Sequence, residues 1–428
     1  MKIEIEKKGP LRGEITPPSD KSISHRAAIF ASLASGKSLI KNYLRAADTL
    51  STLSAMKALG AGITGGGDIV IEGVGVHGLK EPAGVVDCGN SGTTIRLLSG
   101  LLSGNLFFSV LAGDASLSMR PMARVIVPLS KMGARIMARN GDKYPPVAIR
   151  GGGLRAIDYD MPVASAQVKS ALILAGLYAD GEKETSITEP LPSRDHTERM
   201  LASMGCGLTV KGNTIHVGKT DELKPFELTV PGDISSAAFF IVGALLVKGS
   251  DVLVRNIGIN PRRTGLLDVL QKMGADIKIE NRRDVSGEPV ADIHVKSSDG
   301  LRPVEVGRED IPGLVDEVPV LCIAAAAANG RTSIRGAGEL RVKESDRLAA
   351  MAEGLANMGV DVEQYPDGMD IEGGPLKGAV INSFGDHRIA MAFSIAALAA
   401  SGKTVIEGAG AVGISYPGFF ESLKGLQK

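Results

Sequence analysis

One phrase recurs six times along this chain: an apolar run of helical character, a glycine, then a short β-branched strand that opens on a polar residue. The glycines are Gly36, Gly104, Gly181, Gly249, Gly330 and Gly402, spaced 68, 77, 68, 81 and 72 residues apart. A second phrase alternates with the first, an amphipathic run closing on Leu or Met and then Gly: Leu59-Gly60, Met132-Gly133, Met204-Gly205, Met273-Gly274 and Met358-Gly359, with a degenerate sixth copy at Leu423-Lys424-Gly425. Two markers kept in one alternating order mean six copies of a unit of about 71 residues, the 428-residue length divided by six. Each copy must therefore build the same supersecondary unit and bury its apolar face against its neighbours.

In copy one, Ile23 to Ser35 predicts a helix closed by Gly36, and Leu39 to Tyr43 a strand. Leu50 to Leu59 predicts a second helix, followed by strands at Ile63 and at Ile69-Val70-Ile71. The corresponding last strands are Val147 to Ile149, Thr214 to Val217, Asp292 to Val295 and Met369 to Ile371. With one strand ahead of the first helix, the unit reads βαβαββ, and the alternation predicts an α/β architecture with parallel pairing inside each unit. Six copies divide into two domains of three, expected at 20–229 and at 1–19 plus 230–428. The first strand, within residues 1 to 8, can pair with either half.

Charge and cysteine usage narrow the function. The 48 basic and 48 acidic residues cancel, so no global field favours nucleic acid or an anionic membrane. Trp is absent and aromatic residues make up 4%, which argues against a base-stacking platform. Cys88, Cys206 and Cys322 have neither metal nor disulfide spacing, which predicts a cytoplasmic protein without a metal site. Met1 to Lys7 alternates apolar and charged residues as a strand does, not as a secretory signal does. Gly36-Lys37-Ser38 and Gly402-Lys403-Thr404 resemble the end of a phosphate loop. However, Ala31 and Ala397 stand where such a loop has glycine, and the chain runs from helix into strand.

The unusual residues lie in corresponding loops. The six helix starts carry Ser19-Asp20-Lys21-Ser22, Gly89-Asn90-Ser91-Gly92-Thr93, Ala164-Ser165-Ala166-Gln167, Gly232-Asp233-Ile234-Ser235-Ser236, Val315-Asp316-Glu317 and Gly385-Asp386-His387-Arg388. Ordinary N-capping explains most of the Ser, Asp, Asn and Thr, and would by itself explain Asp316. It does not explain Lys21, Arg26, His387 and Arg388, cations in first turns that the helix dipole disfavours unless an anion lies between them. Loops after the second strand add Arg120, Arg124, Ser193-Arg194 and Leu340 to Arg347. Arg262-Arg263 read as a solvated pair, because nothing acidic or apolar marks them as a lining. The pattern predicts several phosphate or carboxylate subsites, since Arg grips such groups bidentately. Glu344 and Asp316 stand as candidates for proton transfer.

These loops, in this order, resemble the 5-enolpyruvylshikimate-3-phosphate synthase family over essentially the full length. The matching stretches are Asp20 to Arg26, Gly89 to Arg96, Leu340 to Arg347 and Gly385 to Arg388. The resemblance implies two inside-out α/β barrels of three βαβαββ units each, closing around substrates in the cleft between them. It implies a monomer that needs no cofactor, and transfer of enolpyruvyl from phosphoenolpyruvate to the 5-hydroxyl of shikimate 3-phosphate. Lys21, Ser22, Arg26, Ser165, Ala166, Gln167, Ser193, Arg194, Asp316 and Lys343 would bind shikimate 3-phosphate. Lys21, Asn90, Gly92, Thr93, Arg120, Gln167, Arg347, His387 and Arg388 would bind phosphoenolpyruvate. Asp316 or Lys21 would take the hydroxyl proton, and Glu344 would protonate the enolpyruvyl methylene.

Two departures from the family pattern stand out. Ser165-Ala166-Gln167 replaces a common Ser-Ser-Gln, and Ile414 stands near a position where many members have Lys. The Ala variant with Arg194-Asp195-His196 resembles the bacterial subgroup noted for glyphosate tolerance. That tolerance is associated with Ala at the position of Gly92, so glyphosate is expected to inhibit this chain. The sister enzyme acting on UDP-N-acetylglucosamine usually has Cys in the loop Ala112 to Pro121, which here has none but carries Asp114. A non-catalytic anion-binding repeat protein would have no use for Asp316 and Glu344.

Overall fold

A computed structural model describes residues 1–427 as two compact units. One is Lys21–Val230, and the other joins Met1–Asp20 to the chain from Pro231 on. Each unit has its own buried hydrophobic cluster.

The first helix of each copy is the core element. These helices are Lys21–Leu33 (α1), Gly92–Ser103 (α2), Ala166–Gly176 (α3), Ile234–Leu246 (α4), Val318–Ala326 (α5) and His387–Ala399 (α6). All six are buried along most of their length, polar residues such as Ser24, His25 and Arg26 of α1 included. α2 packs on α3 in the first unit, and α4, α5 and α6 pack pairwise in the second. The second helices are amphipathic, and the glycines that close five of them, Gly60, Gly133, Gly205, Gly274 and Gly359, all have positive φ. That backbone requirement is why the marker recurs.

Five of the six sheets run in the spatial order first, second, fourth, third strand, and the sixth has three strands. In copy two these are Val86–Asp87, Phe108–Ala112, Tyr144–Arg150 and Arg135–Ala138. The first two strands pair parallel and the others antiparallel. The expectation of parallel pairing inside the unit therefore holds for one pair only, because the last two strands form a hairpin that can return only antiparallel.

Copies one and four exchange first strands. Arg12–Ile15 precedes α1 but pairs with Asp251–Gly258, while Glu227–Thr229 precedes α4 but pairs with Lys37–Lys41. Lys2–Ile5 pairs with Thr404–Glu407, supplying the strand that the degenerate sixth copy lacks. The strand expected at Leu39 to Tyr43 runs instead over Lys37–Lys41. It ends at Asn42, which turns the chain at φ 56° while its side chain donates to the Val230 carbonyl at 2.8 Å.

Candidate active site

In the first unit the anion-binding candidates gather at the starts of α1, α2 and α3. Lys21 opens α1 and its ammonium lies 3.3 Å from Asp48. Arg26, one turn on, is buried and already directed: it donates to Thr197 at 2.7 Å, to Ser170 at 2.8 Å and to the Ser22 carbonyl at 3.0 Å. Arg194 approaches the Ser22 hydroxyl at 3.5 Å. A chain of short hydrogen bonds, His25 to Thr52 at 2.7 Å, Thr52 to Thr94 at 2.6 Å and Thr94 to Ser91 at 2.7 Å, ties α1 to the loop that opens α2. Burial, aided by Lys21 and Arg26, holds His25 well below the usual imidazole range, so it is neutral here.

Around α2 the side chains interlock. Arg120 donates to Asn90 at 2.5 Å, and Asn90 donates to Asp114 at 2.7 Å. Asp114 also accepts the Leu117 N–H at 2.7 Å, so it braces this loop and both its oxygens are in use. Arg96 donates to Gln167 at 2.5 Å, and Gln167 donates to Thr93 at 3.0 Å. Gly92 sits at the junction: a methyl there would meet the guanidinium nitrogens of Arg96 at 2.9 Å and Arg120 at 3.3 Å. Ser91 and Ser165 also cap their helices through Thr94 and Val168. Ala166 is the first residue of α3. Ser193 differs from its neighbours: its hydroxyl donates to Glu189 inside the unit.

The second unit holds the carboxylates. Arg347 opens the helix Arg347–Asn357 and is 1% exposed, so it is not the solvated helix start that its charge-rich surroundings also permit. It donates to Asp386 at 2.7 Å and to Glu344 at 2.6 Å, and lies 3.5 Å from Asp316. Burial opposes the Arg347 charge, but Asp386, Glu344 and Asp316 outweigh it and raise its basicity. Burial likewise pushes the Asp386 carboxyl up, yet Arg347 holds it below the usual carboxylate range. Arg388 donates to the Asp316 carbonyl at 2.6 Å and reaches the Asp316 carboxylate at 3.5 Å. Asp316 does not cap α5. Glu317 stands at the N-cap without a side-chain cap bond, which leaves the Asp316 carboxylate to the two arginines. Lys343 pairs with Glu339 at 2.8 Å. His387 is buried beside Asp386.

Several residues escaped the sequence. Arg263, expected to be solvated with Arg262, is buried and grips Asp20 and Asp233 at 3.1 Å each and Ser235 at 2.8 Å. Its carboxylate partners lie 243 and 30 residues away, so no local pattern could have marked it. Burial disfavours its charge, but Asp20 and Asp233 more than compensate. Glu317 is bonded to Ser235 and lies 3.7 Å from Arg388. Lys169 is buried between Glu189 and Glu198.

The result is one fold, buried first helices packed with small mixed sheets and carrying Arg, Lys and carboxylates at their starts. A solved structure described as the enolpyruvyl transferase NikO from Streptomyces tendae shares it at a TM-score of 0.78, with 19% identity over 99% of this chain and 96% of that one. The family model described as EPSP synthase (3-phosphoshikimate 1-carboxyvinyltransferase) matches residues 5–423, and the chain belongs to that family. It is 54% identical to the 3-phosphoshikimate 1-carboxyvinyltransferase of Thermodesulfovibrio yellowstonii, with 99% of each chain covered. A solved EPSP synthase from Acinetobacter baumannii is similar at 47% identity and a TM-score of 0.87, covering 99% of this chain and 98% of that one. The activity is thus carboxyvinyl transfer, and neither the UDP-sugar enzyme nor a non-catalytic repeat protein is favoured. Among the described residues no helix is long and apolar enough to cross a membrane.

Proposed function

We propose that each unit is an inside-out α/β barrel and that residues of both act on one pair of substrates. Lys21, Ser22, Arg26, Ser165, Ala166, Gln167, Ser193 and Arg194 hold shikimate 3-phosphate, with Asp316 and Lys343 completing its surroundings. Asn90, Gly92, Thr93, Arg120, Arg347, His387 and Arg388 surround phosphoenolpyruvate, which Lys21 and Gln167 also reach. Asp316 and Glu344 handle protons. The observation that carries this reading is the contact of Arg347 with both carboxylates, at 2.6 Å to Glu344 and 3.5 Å to Asp316.

The chemistry follows in two steps. In the addition, the 5-hydroxyl oxygen forms a bond to C2 of phosphoenolpyruvate, its proton passing to Asp316 or Lys21 while Glu344 delivers a proton to C3. In the elimination, the methyl group at C3 returns a proton to Glu344 as the C2–O bond to phosphate breaks and phosphate leaves. Arg120, Arg347 and Arg388 offset the anionic charge of the ligands throughout, so orientation and fixed dipoles supply most of the acceleration.

Glyphosate fits this site as an inhibitor because Gly92 leaves the guanidinium groups of Arg96 and Arg120 unobstructed. The tolerant-subgroup features at Ala166 and Arg194-Asp195-His196 are then not sufficient for tolerance. The test supplies phosphoenolpyruvate with either shikimate 3-phosphate or UDP-N-acetylglucosamine and measures released phosphate. Release with the first alone is expected, and release with the second alone would overturn the assignment.

A further inference from the structure

The hydrogen-bond chain from His25 to Ser91 crosses three helices inside one unit. His25 lies on α1, Thr52 on the helix Ala47–Ala58, Thr94 in the first turn of α2, and Ser91 is the N-cap of α2. All four residues are 0% exposed. Buried hydroxyls on α1 and α2 otherwise turn back on their own backbone: Ser32 donates to the Ala28 carbonyl, Ser99 to the Ile95 carbonyl and Ser103 to the Ser99 carbonyl, each at 2.7 Å. Thr52 and Thr94 bond to side chains instead.

Counting protons gives the chain a direction. Thr94 donates its hydroxyl proton to Ser91 at 2.7 Å. The Thr52–Thr94 contact at 2.6 Å requires one proton between two oxygens, and since Thr94 has already given its own, Thr52 donates here. Thr52 then offers His25 only a lone pair, so the proton in the 2.7 Å contact between them stands on Nδ1 of the imidazole. His25 is neutral, held there by burial and by Lys21 and Arg26, so Nε2 carries no proton. That nitrogen has no hydrogen-bond partner among the described residues. At the far end, Ser91 Oγ accepts both the Thr94 hydroxyl and the Thr94 N–H, the latter at 3.1 Å, which occupies both its lone pairs.

A neutral imidazole with one bare, buried nitrogen costs more to enclose than Leu or Phe would, and packing alone gives no reason for it. What it supplies is a single donor at a single place. Ser91, where the chain ends, stands between Asn90, which accepts from Arg120 at 2.5 Å, and Gly92, which leaves room for the Arg96 and Arg120 guanidinium groups. We infer that His25 is a positioning residue for carboxyvinyl transfer: as the Nδ1–H tautomer it directs the chain through Thr52 and Thr94, and so holds Ser91 and the loop Asn90 to Thr93 in the arrangement that receives phosphoenolpyruvate. The inference rests on the proposed placement of phosphoenolpyruvate against this loop.

Two measurements on the full-length enzyme test it. Long-range proton–nitrogen spectra of protein labelled with 15N-histidine report the tautomer directly, the His25 signals being those lost in His25→Asn. A protonated Nδ1 with a bare Nε2 is expected; a protonated Nε2 would reverse the chain and overturn the inference, whether or not any variant folds. In kinetics, His25→Leu removes the donor and Thr94→Val cuts the chain at its centre, whereas His25→Asn keeps an N–H two bonds from Cβ, where Nδ1 stands. The first two should each raise the KM of phosphoenolpyruvate about five- to tenfold, the loss of one buried hydrogen bond, and their combination no further than the larger single effect. His25→Asn should stay within about twofold of wild type. The KM of shikimate 3-phosphate should change by less than about twofold throughout; because α1 also carries Lys21, Ser22 and Arg26, a merely structural role for His25 would raise that KM at least as much. An equal rise in both KM values, a His25→Asn variant no better than His25→Leu, or a wild-type KM of phosphoenolpyruvate in His25→Leu would each overturn the inference. Arg120→Ala is the reference for the placement: if it leaves the KM of phosphoenolpyruvate unchanged, the placement itself fails, whereas a raised value there beside an unchanged one in His25→Leu defeats the chain alone.

Discussion

Replacing Glu344 by Gln tests the proton-transfer assignment most directly. Before the change, Arg347 faces three carboxylates, Asp386 at 2.7 Å, Glu344 at 2.6 Å and Asp316 at 3.5 Å. Afterwards two remain for one guanidinium, and the Gln carbonyl can still accept the hydrogen bond from Arg347. The charge left behind is the buried Arg347, which keeps Asp386 and Asp316 as partners. The substitution therefore exchanges a charge-assisted hydrogen bond for a neutral one, and stability should change by about 1 kcal/mol. Catalysis should change far more. Losing a positioned acid–base group costs about 10²–10⁴-fold in turnover, or roughly 3–5 kcal/mol of barrier. The assay is phosphate release under saturating substrates, with ligand binding measured separately by titration. Run in deuterated water, the reaction also reports on the methylene, since protonation at C3 and return of a different hydrogen leave label in the product. Gln at this position should bind both substrates within a few-fold of wild type while losing turnover and deuterium incorporation together. A folded variant that turns over and incorporates label at wild-type rates would remove Glu344 from the mechanism.

Two further substitutions probe each unit separately. Gly92→Ala places a methyl 2.9 Å from the Arg96 guanidinium and 3.3 Å from that of Arg120, so inhibition by glyphosate should weaken by at least about tenfold, the scale of one misplaced methyl in a tight pocket; an unchanged inhibition curve would show that this space is not used. Arg263→Met removes the guanidinium that grips the buried Asp20 and Asp233, which should cost about 3–5 kcal/mol and lower the melting midpoint of that unit by about 6–20 °C. An unshifted melting curve would mean that the two carboxylates are stabilised by other groups.

What the sequence revealed and what it hid divide along a physical line. The repeat was legible because its markers answer to local backbone rules. A glycine closing an amphipathic helix at positive φ must be glycine in every copy, whatever surrounds it. The loops carrying Lys21, Arg26, His387 and Arg388 stood out on an equally local rule, since cations in a first turn conflict with the helix dipole. Pairing was not. Arg12–Ile15 and Glu227–Thr229 occupy equivalent places in the repeat, yet each completes the sheet of the other's copy, and nothing within a strand of four residues or fewer encodes its partner. Burial of charge was hidden as well. Arg262 and Arg263 are adjacent and chemically identical, but only Arg263 is buried, because only it meets Asp20 and Asp233.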